Sequence, residues 1–303
     1  MVHLAHANGF PPGAYRRLAE TLTPRYHVVA LPSRPLWPGS QPASAPTWHP
    51  LADDLVAALD RLDLAPSGTG SVIGVGHSLG GVLTLWAALR RPDLFRAVVL
   101  IDPILLSSSR LWALRLFRGL DLWRRLPLVQ GTLHRRRTWP SRKACFEQYR
   151  TRSLFARWPD ESLWDYVEAG TTASTTASTT ASTTASTRGG ARGGARGGAQ
   201  VRCLDGAGAN TGQVELVYPP EWEAHIFATT PTDAWRDVPK LRTPALVVRG
   251  EHSTTFRPAA QARVARLLPG AQQATIAAAG HLPPMERPAE TGAAILDFLD
   301  SGA

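Results

Sequence analysis

The chain has 303 residues, 44% of them hydrophobic, and a formal charge of +9 from 33 Lys and Arg against 24 Asp and Glu. That bulk suits one large α/β domain or two smaller ones, and no window approaches the roughly eighteen uninterrupted apolar residues of a membrane span. Lys143 and Lys240 are the only lysines, and with no zinc finger, aromatic-interleaved basic ribbon or other binding motif, arginine enrichment points to genome composition rather than to a nucleic-acid partner.

Val2–Ala5 reads as a short strand entering a turn at Asn8–Gly13, followed by a helix over Tyr15–Thr21 and a strand over Tyr26–Leu31. Pro32–Pro46 is proline-rich and must be a loop. From Trp48 to Leu64, Leu51, Leu55, Val56, Leu59 and Leu62 recur at helical spacing. Ser71–Gly76 is a buried-type strand, Gly81–Arg90 the helix after it, and Phe95–Ile101 another apolar strand. Strand alternating with helix predicts a mostly parallel sheet flanked by helices.

From Leu105 to about Asp237 the strands give way to arginine- and tryptophan-rich helical segments, Leu111–Leu126 and Cys145–Val167. Residues 105–237 are therefore expected to form a helical cap inserted into a core made of 1–104 and 238–303. Arg110, Arg115, Arg118 and Arg125 fall near one face of the first segment. An interfacial helix has that pattern, but the solvated face of a lid helix is the plainer reading. Trp158, Trp164 and Trp235 are expected to pack the cap. Four Thr-Thr-Ala-Ser copies fill 171–186 and three Arg-Gly-Gly-Ala copies fill 188–199. Small polar residues and glycine bury too little surface to offset ordering entropy, so 171–199 is expected to be disordered. Three Arg-Gly-Gly copies are a weak RNA signal, and a tolerated loop expansion is the better account.

The sheet pattern resumes at Ala245–Arg249, with a helix over Ala259–Leu268, a strand over Gln273–Ala277 and a last helix over Ala289–Asp300. Met1–His6 lacks the basic start and apolar stretch of a signal peptide. Cys145 and Cys203 lie far apart and at no metal-ligand spacing. The expectation is a cytoplasmic protein with no metal.

Gly76-His77-Ser78-Leu79-Gly80 has the Gly-x-Ser-x-Gly pattern that lifts a serine onto a sharp strand-to-helix turn. A chance Gly/Ser turn is the bland alternative, but here the expected strand lies before the motif and the expected helix after it. His281, in Gly280-His281-Leu282, follows the nucleophile in chain order and could accept its proton. A satisfied loop histidine is the alternative when His281 is taken alone. An oxyanion site needs two backbone N–H groups. Leu79, next to the nucleophile, and Asn8, in the His6–Phe10 turn, are placed to supply them.

These residues together resemble the α/β-hydrolase superfamily, and within it bacterial hydrolases carrying a His-Ala-Asn-Gly-Phe turn, a Gly-His-Ser-[Leu/Met]-Gly elbow and a late Gly-His-Leu segment. The resemblance implies hydrolysis of an ester, thioester or related acyl bond through a covalent serine intermediate. It implies no cofactor and does not imply a particular substrate; the expected partner is a small-molecule acyl substrate, with oligomeric state open. It also implies two strands ahead of the oxyanion turn, which here stands a few residues from Met1, so either the sheet is expected to be short by two strands or the start site is expected to be wrong. The triad acid is the open position. Resembling proteins place it after the strand Ala245–Arg249, where this chain has Gly250-Glu251-His252-Ser253-Thr254, with Thr254 where Asp is often found. Some members place it at the end of the preceding strand, where Asp102 stands. Asp102 is preferred, with Glu251 as runner-up. The other reading of the whole chain is a non-catalytic member of the fold that binds a small apolar ligand or partner.

Overall fold

The apolar runs become strands of one sheet, and the amphipathic runs become the helices that cover it. The structure, a computed structural model, describes residues 1–62, 72–120, 122–174 and 212–302. The chain opens with β1 (Val2–Ala5), α1 (Arg16–Leu22), β2 (Val28–Val29), α2 (His49–Arg61), β3 (Val72–His77), α3 (Leu79–Arg90) and β4 (Phe95–Ile101). Then come α4 (Ser108–Gly119), α5 (Pro127–Leu133), β5 (Thr138–Trp139), α6 (Arg142–Arg150), α7 (Asp160–Gly170), β6 (Thr171–Ala173), β7 (Val214–Leu216) and α8 (Pro220–Ala228). The last part holds β8 (Ala245–Gly250), α9 (Pro258–Leu267), β9 (Gln272–Ile276), α10 (Pro283–Glu286) and α11 (Pro288–Asp300).

Six strands pair in the order β2-β1-β3-β4-β8-β9, every neighbour parallel. The α/β fold class read from the sequence is the one observed. Strands covered on both faces need no polar alternation, which is why β3 and β8 are buried along their whole length. On one face, Leu51, Leu55 and Leu59 of α2, most of α3, and Ala260 and Val264 of α9 form one apolar cluster. On the other, Leu18 and Leu22 of α1 meet Ile295, Phe298 and Leu299 of α11, along with Tyr149, Leu163 and Tyr166 of α6 and α7. Each leucine buried in this way contributes roughly 1.5–3 kcal/mol.

Several local expectations are corrected. The strand expected over Tyr26–Leu31 shrinks to Val28–Val29, since β2 is an edge strand paired only with β1 and the proline-rich loop draws the chain away. The single segment expected over Cys145–Val167 is two helices, the first ending at Arg150 and the second starting after Pro159. Between β4 and β8 the chain is not wholly helical: β5, β7 and β6 form a small antiparallel sheet. Thr171–Ala173, expected to begin a disordered tract, is one of its strands, the β-branched threonines pairing with Val214–Leu216. The remainder of that tract, 175–199, lies outside the described residues.

The tryptophans pack the stretch between β4 and β8: Trp158 and Trp235 are buried, and Trp164 stacks on Phe146 at 4.4 Å. Of the α4 arginines, Arg115 is exposed while Arg110 and Arg118 are partly buried, and all three find backbone acceptors. Arg110 donates to the Thr254 carbonyl, Arg115 to that of Thr232, and Arg118 to those of Ala228 and Thr230. No helix among the described residues is long and apolar enough to cross a membrane.

Candidate active site

In a sheet of this order the chain leaves β1 in both directions, which opens a crevice beyond the carboxyl ends of β1 and β3. The register Ala5↔Gly76, His77↔Ile101, Ile101↔Val248 and Gly250↔Ile276 brings the ends of five strands level. The residues singled out from the sequence leave the sheet there.

Ser78 sits between β3 and α3 at φ 56°, ψ −112°, a region that costs a non-glycine residue about 1–3 kcal/mol. The two flanking glycines make the turn possible. A Cβ on Gly76 would meet the Gly80 carbonyl at 2.2 Å, and one on Gly80 would meet the Ala5 carbonyl at 2.0 Å. Gly80 thus seats the elbow directly against the turn after β1. The Ser78 N–H is held by the Ile101 carbonyl at 2.9 Å.

Ser78 Oγ lies 2.9 Å from His281 Nε2, and His281 Nδ1 lies 2.6 Å from Asp102 Oδ1. A carboxylate only accepts, so Nδ1 carries the imidazole proton and Nε2 is free to accept from the serine. Asp102 is completely buried and takes two further donors, Ser253 Oγ at 2.6 Å and the Gly250 N–H at 3.0 Å. Ser253 Oγ itself accepts from the Thr255 and Phe256 N–H groups at 3.2 Å each, which leaves its own proton for Asp102. Asp102 also has a positive φ of 42°.

Glu251 is not brought to the imidazole. Its half-exposed carboxylate accepts from the Ala278 N–H at 2.8 Å and so braces the turn ahead of His281. Thr254 contributes its carbonyl, to Arg110 and Arg257.

Asn8 and Leu79 both come to the crevice, and neither backbone N–H has an acceptor among the described residues. The Asn8 side chain is turned elsewhere. Its Nδ2 donates to the Glu223 carbonyl at 3.0 Å and its Oδ1 accepts from Tyr218 at 3.0 Å. The Glu223 carboxylate, paired with Arg135 at 2.6 Å, lies over Gly9, where a Cβ would meet it at 2.8 Å. Gly9 has φ +80° and must be glycine on both counts. Tyr166 donates to the Gly9 carbonyl at 3.3 Å, so residues between β4 and β8 grip this turn at both Asn8 and Gly9.

Three supports have no signature of their own in the sequence. Glu286 is buried and accepts from the N–H groups on either side of His281, Gly280 at 2.6 Å and Leu282 at 3.2 Å. Ser253 is the second. The third is a line through His77: the Ala7 N–H donates to Tyr15 Oη at 2.8 Å, Tyr15 lies 2.8 Å from His77 Nδ1, and His77 Nε2 lies 2.9 Å from the His281 carbonyl. The carbonyl can only accept, so Nε2 carries the proton and Tyr15 donates to Nδ1. Burial, reinforced by the neighbouring His281, pulls His77 down to about 3, and burial pushes Tyr15 well above its ordinary value. Both stay neutral, so the line keeps one direction. The only prior hint was that His77 belongs to the elbow motif and Glu286 to the segment after His281. Cys145 is buried, which pushes its thiol up to about 12 and leaves it unreactive.

A family model described as alpha/beta hydrolase fold matches residues 7–288. Lipase LipV of Mycobacterium tuberculosis is 44% identical over 73 residues, which is 24% of this chain and 26% of that protein. The uncharacterized hydrolase YugF of Bacillus subtilis is 31% identical over 101 residues, 32% of this chain and 35% of that one. The chain thus aligns with about a quarter to a third of the length of these curated relatives. Among solved structures, E-2-(acetamidomethylene)succinate hydrolase superimposes with a TM-score of 0.70 at 20% identity, covering 99% of this chain and 91% of that one.

Proposed function

The chain belongs to the alpha/beta hydrolase fold family, and within it we propose that it is a serine hydrolase, cleaving an ester or related acyl bond of a small, largely apolar substrate through an acyl-serine intermediate. The observation that carries this reading is the unbroken hydrogen-bonded line from Ser78 Oγ through His281 to the buried Asp102.

In this reading His281 Nε2 takes the serine proton as Oγ attacks the acyl carbon. The oxygen that becomes negative is met by the Asn8 and Leu79 N–H groups, the latter at the start of α3, whose dipole favours the charge. The imidazolium formed is stabilised by Asp102 and returns its proton to the leaving alcohol, thiol or enol. Water then attacks the acyl-serine with His281 again as base, which releases the acid and restores Ser78. The three donors to Asp102 keep its charge fixed on the imidazole.

The apolar substrate class is supported by the surroundings. Leu79, Leu105, Leu111, Tyr218 and Trp222 belong to one apolar cluster that joins the core to the inserted segment. We take 105–237 as a cap over the crevice. The names of the matched lipase and hydrolases fit acyl-bond hydrolysis without fixing the substrate.

A fluorophosphonate probe tests the proposal. The folded protein should be labelled, and Ser78→Ala should abolish labelling. A folded protein that resists the probe would instead be a binding member of the family.

A further inference from the structure

The outer face of α4 is apolar where a solvated helix should be polar. At about 100° per residue, Trp112, Leu116 and Leu120 fall within a quarter-turn of one another, and they are 67%, 43% and 59% exposed. The opposite side holds the buried Leu111 and Leu114 with Arg110 and Arg118, while the exposed Arg115 flanks Trp112; all three guanidinium groups reach backbone carbonyls. On α5, Val129 and Thr132 are buried while Leu128 is 65% exposed. Exposed aromatic and aliphatic side chains aligned on one helix mark a contact surface.

The charge around this face says what contacts it. Residues 105–137 hold eight arginines against the single Asp121. Arg135 and Arg137 are paired with Glu223 and Glu221. Among the described residues, Arg110, Arg115 and Arg118 have no carboxylate within ion-pair distance, so their carbonyl acceptors leave the positive charge uncancelled. Two copies meeting through this face would set those charges against one another. A single exposed helix stripe suits a flat medium that is apolar within and anionic at its surface, and tryptophan favours that boundary.

We propose that α4, with Leu128 of α5, docks this protein on an anionic lipid surface: Trp112, Leu116 and Leu120 enter the headgroup–acyl boundary while the arginines behind and beside them attract the headgroups. The Arg110 bond to the Thr254 carbonyl places the start of α4 beside Ser253 and hence beside Asp102, so a docked molecule would face its crevice towards the lipid. The docking itself does not depend on Ser78 being a nucleophile.

The experiment is co-sedimentation of the full chain with vesicles of phosphatidylcholine containing about 40 mol% phosphatidylglycerol, against phosphatidylcholine alone. Binding should require the anionic lipid and collapse at about 0.5 M NaCl, where charge is screened. Trp112→Ser with Leu116→Ser should weaken it at least about tenfold with unchanged far-UV circular dichroism. Absence of binding, equal binding to both vesicle types, or undiminished binding by the double variant overturns the proposal. So does a wild-type dimer that the double variant turns into a monomer, which would make a second copy the occupant. Fluorophosphonate labelling of the same samples is read separately, so loss of docking and loss of the nucleophile cannot be confused.

Discussion

Ser253 Oγ and His281 Nδ1 meet the same oxygen of Asp102, each at 2.6 Å. The serine comes from the turn after β8 and the histidine from the loop after β9, so two chain segments converge on one buried atom. Ser253→Ala removes a charge-assisted hydrogen bond worth about 1.5–3 kcal/mol. If that energy serves the rate, kcat on a p-nitrophenyl ester should drop about tenfold or more with KM little changed. An unaltered rate would show that Ser253 is structural only.

The two candidate acids separate sharply. Asp102→Asn keeps the shape but presents the wrong partner to Nδ1, and turnover should drop by about 10³–10⁴-fold with unchanged circular dichroism. Glu251→Gln removes a half-exposed charge that touches only the Ala278 N–H and His252 and should change turnover less than about twofold. Reversed results would move the triad acid to the β8 turn.

Acid should destabilise the fold through its buried imidazoles. Burial holds His3 and His6 at about 4 and His77 at about 3, whereas in the unfolded chain each returns to about 6.5. The unfolded state therefore binds more protons as pH falls below that value. The stabilisation is complete above about pH 6.5 and is lost on acidification towards the folded values, at up to about 1.4 kcal/mol per pH unit per histidine. His3 Nε2 has no hydrogen-bond partner among the described residues, so His3→Leu should raise Tm by several degrees more at pH 5 than at pH 8. Equal shifts at the two pH values would remove His3 from this account.

Gly80→Ala tests how closely the elbow and the oxyanion turn are seated. The new Cβ would overlap the Ala5 carbonyl at 2.0 Å, and backbone on both sides leaves nowhere to yield. If the protein still folds, the turn carrying Asn8 must shift, and kcat should fall about 10²-fold or more, as for loss of one oxyanion donor. Near-normal activity with a normal Tm would mean that this contact does not set the site.

Legibility in the sequence followed distance along the chain. The elbow was readable because a strand, a Gly-x-Ser-x-Gly turn and a helix are contiguous, and the sheet because buried parallel strands are unbroken apolar runs. Asp102 and Glu251 were both readable as candidate acids, but the choice between them rests on where β4 and β8 sit side by side. Glu286, Ser253 and Tyr15 could not be singled out, since each acts only on groups that folding brings near it. The strand at Thr171–Ala173 was masked by its repetitive composition, its partner lying some forty residues on. The carbonyl acceptors of the α4 arginines could not be read from periodicity, because they belong to distant segments.

The left-handed backbone at Ser78 sets durability against chemistry in this molecule. Glycine there would relax the chain at no steric cost while deleting the hydroxyl. A variant selected only for surviving heat would gain from that exchange and would be inert.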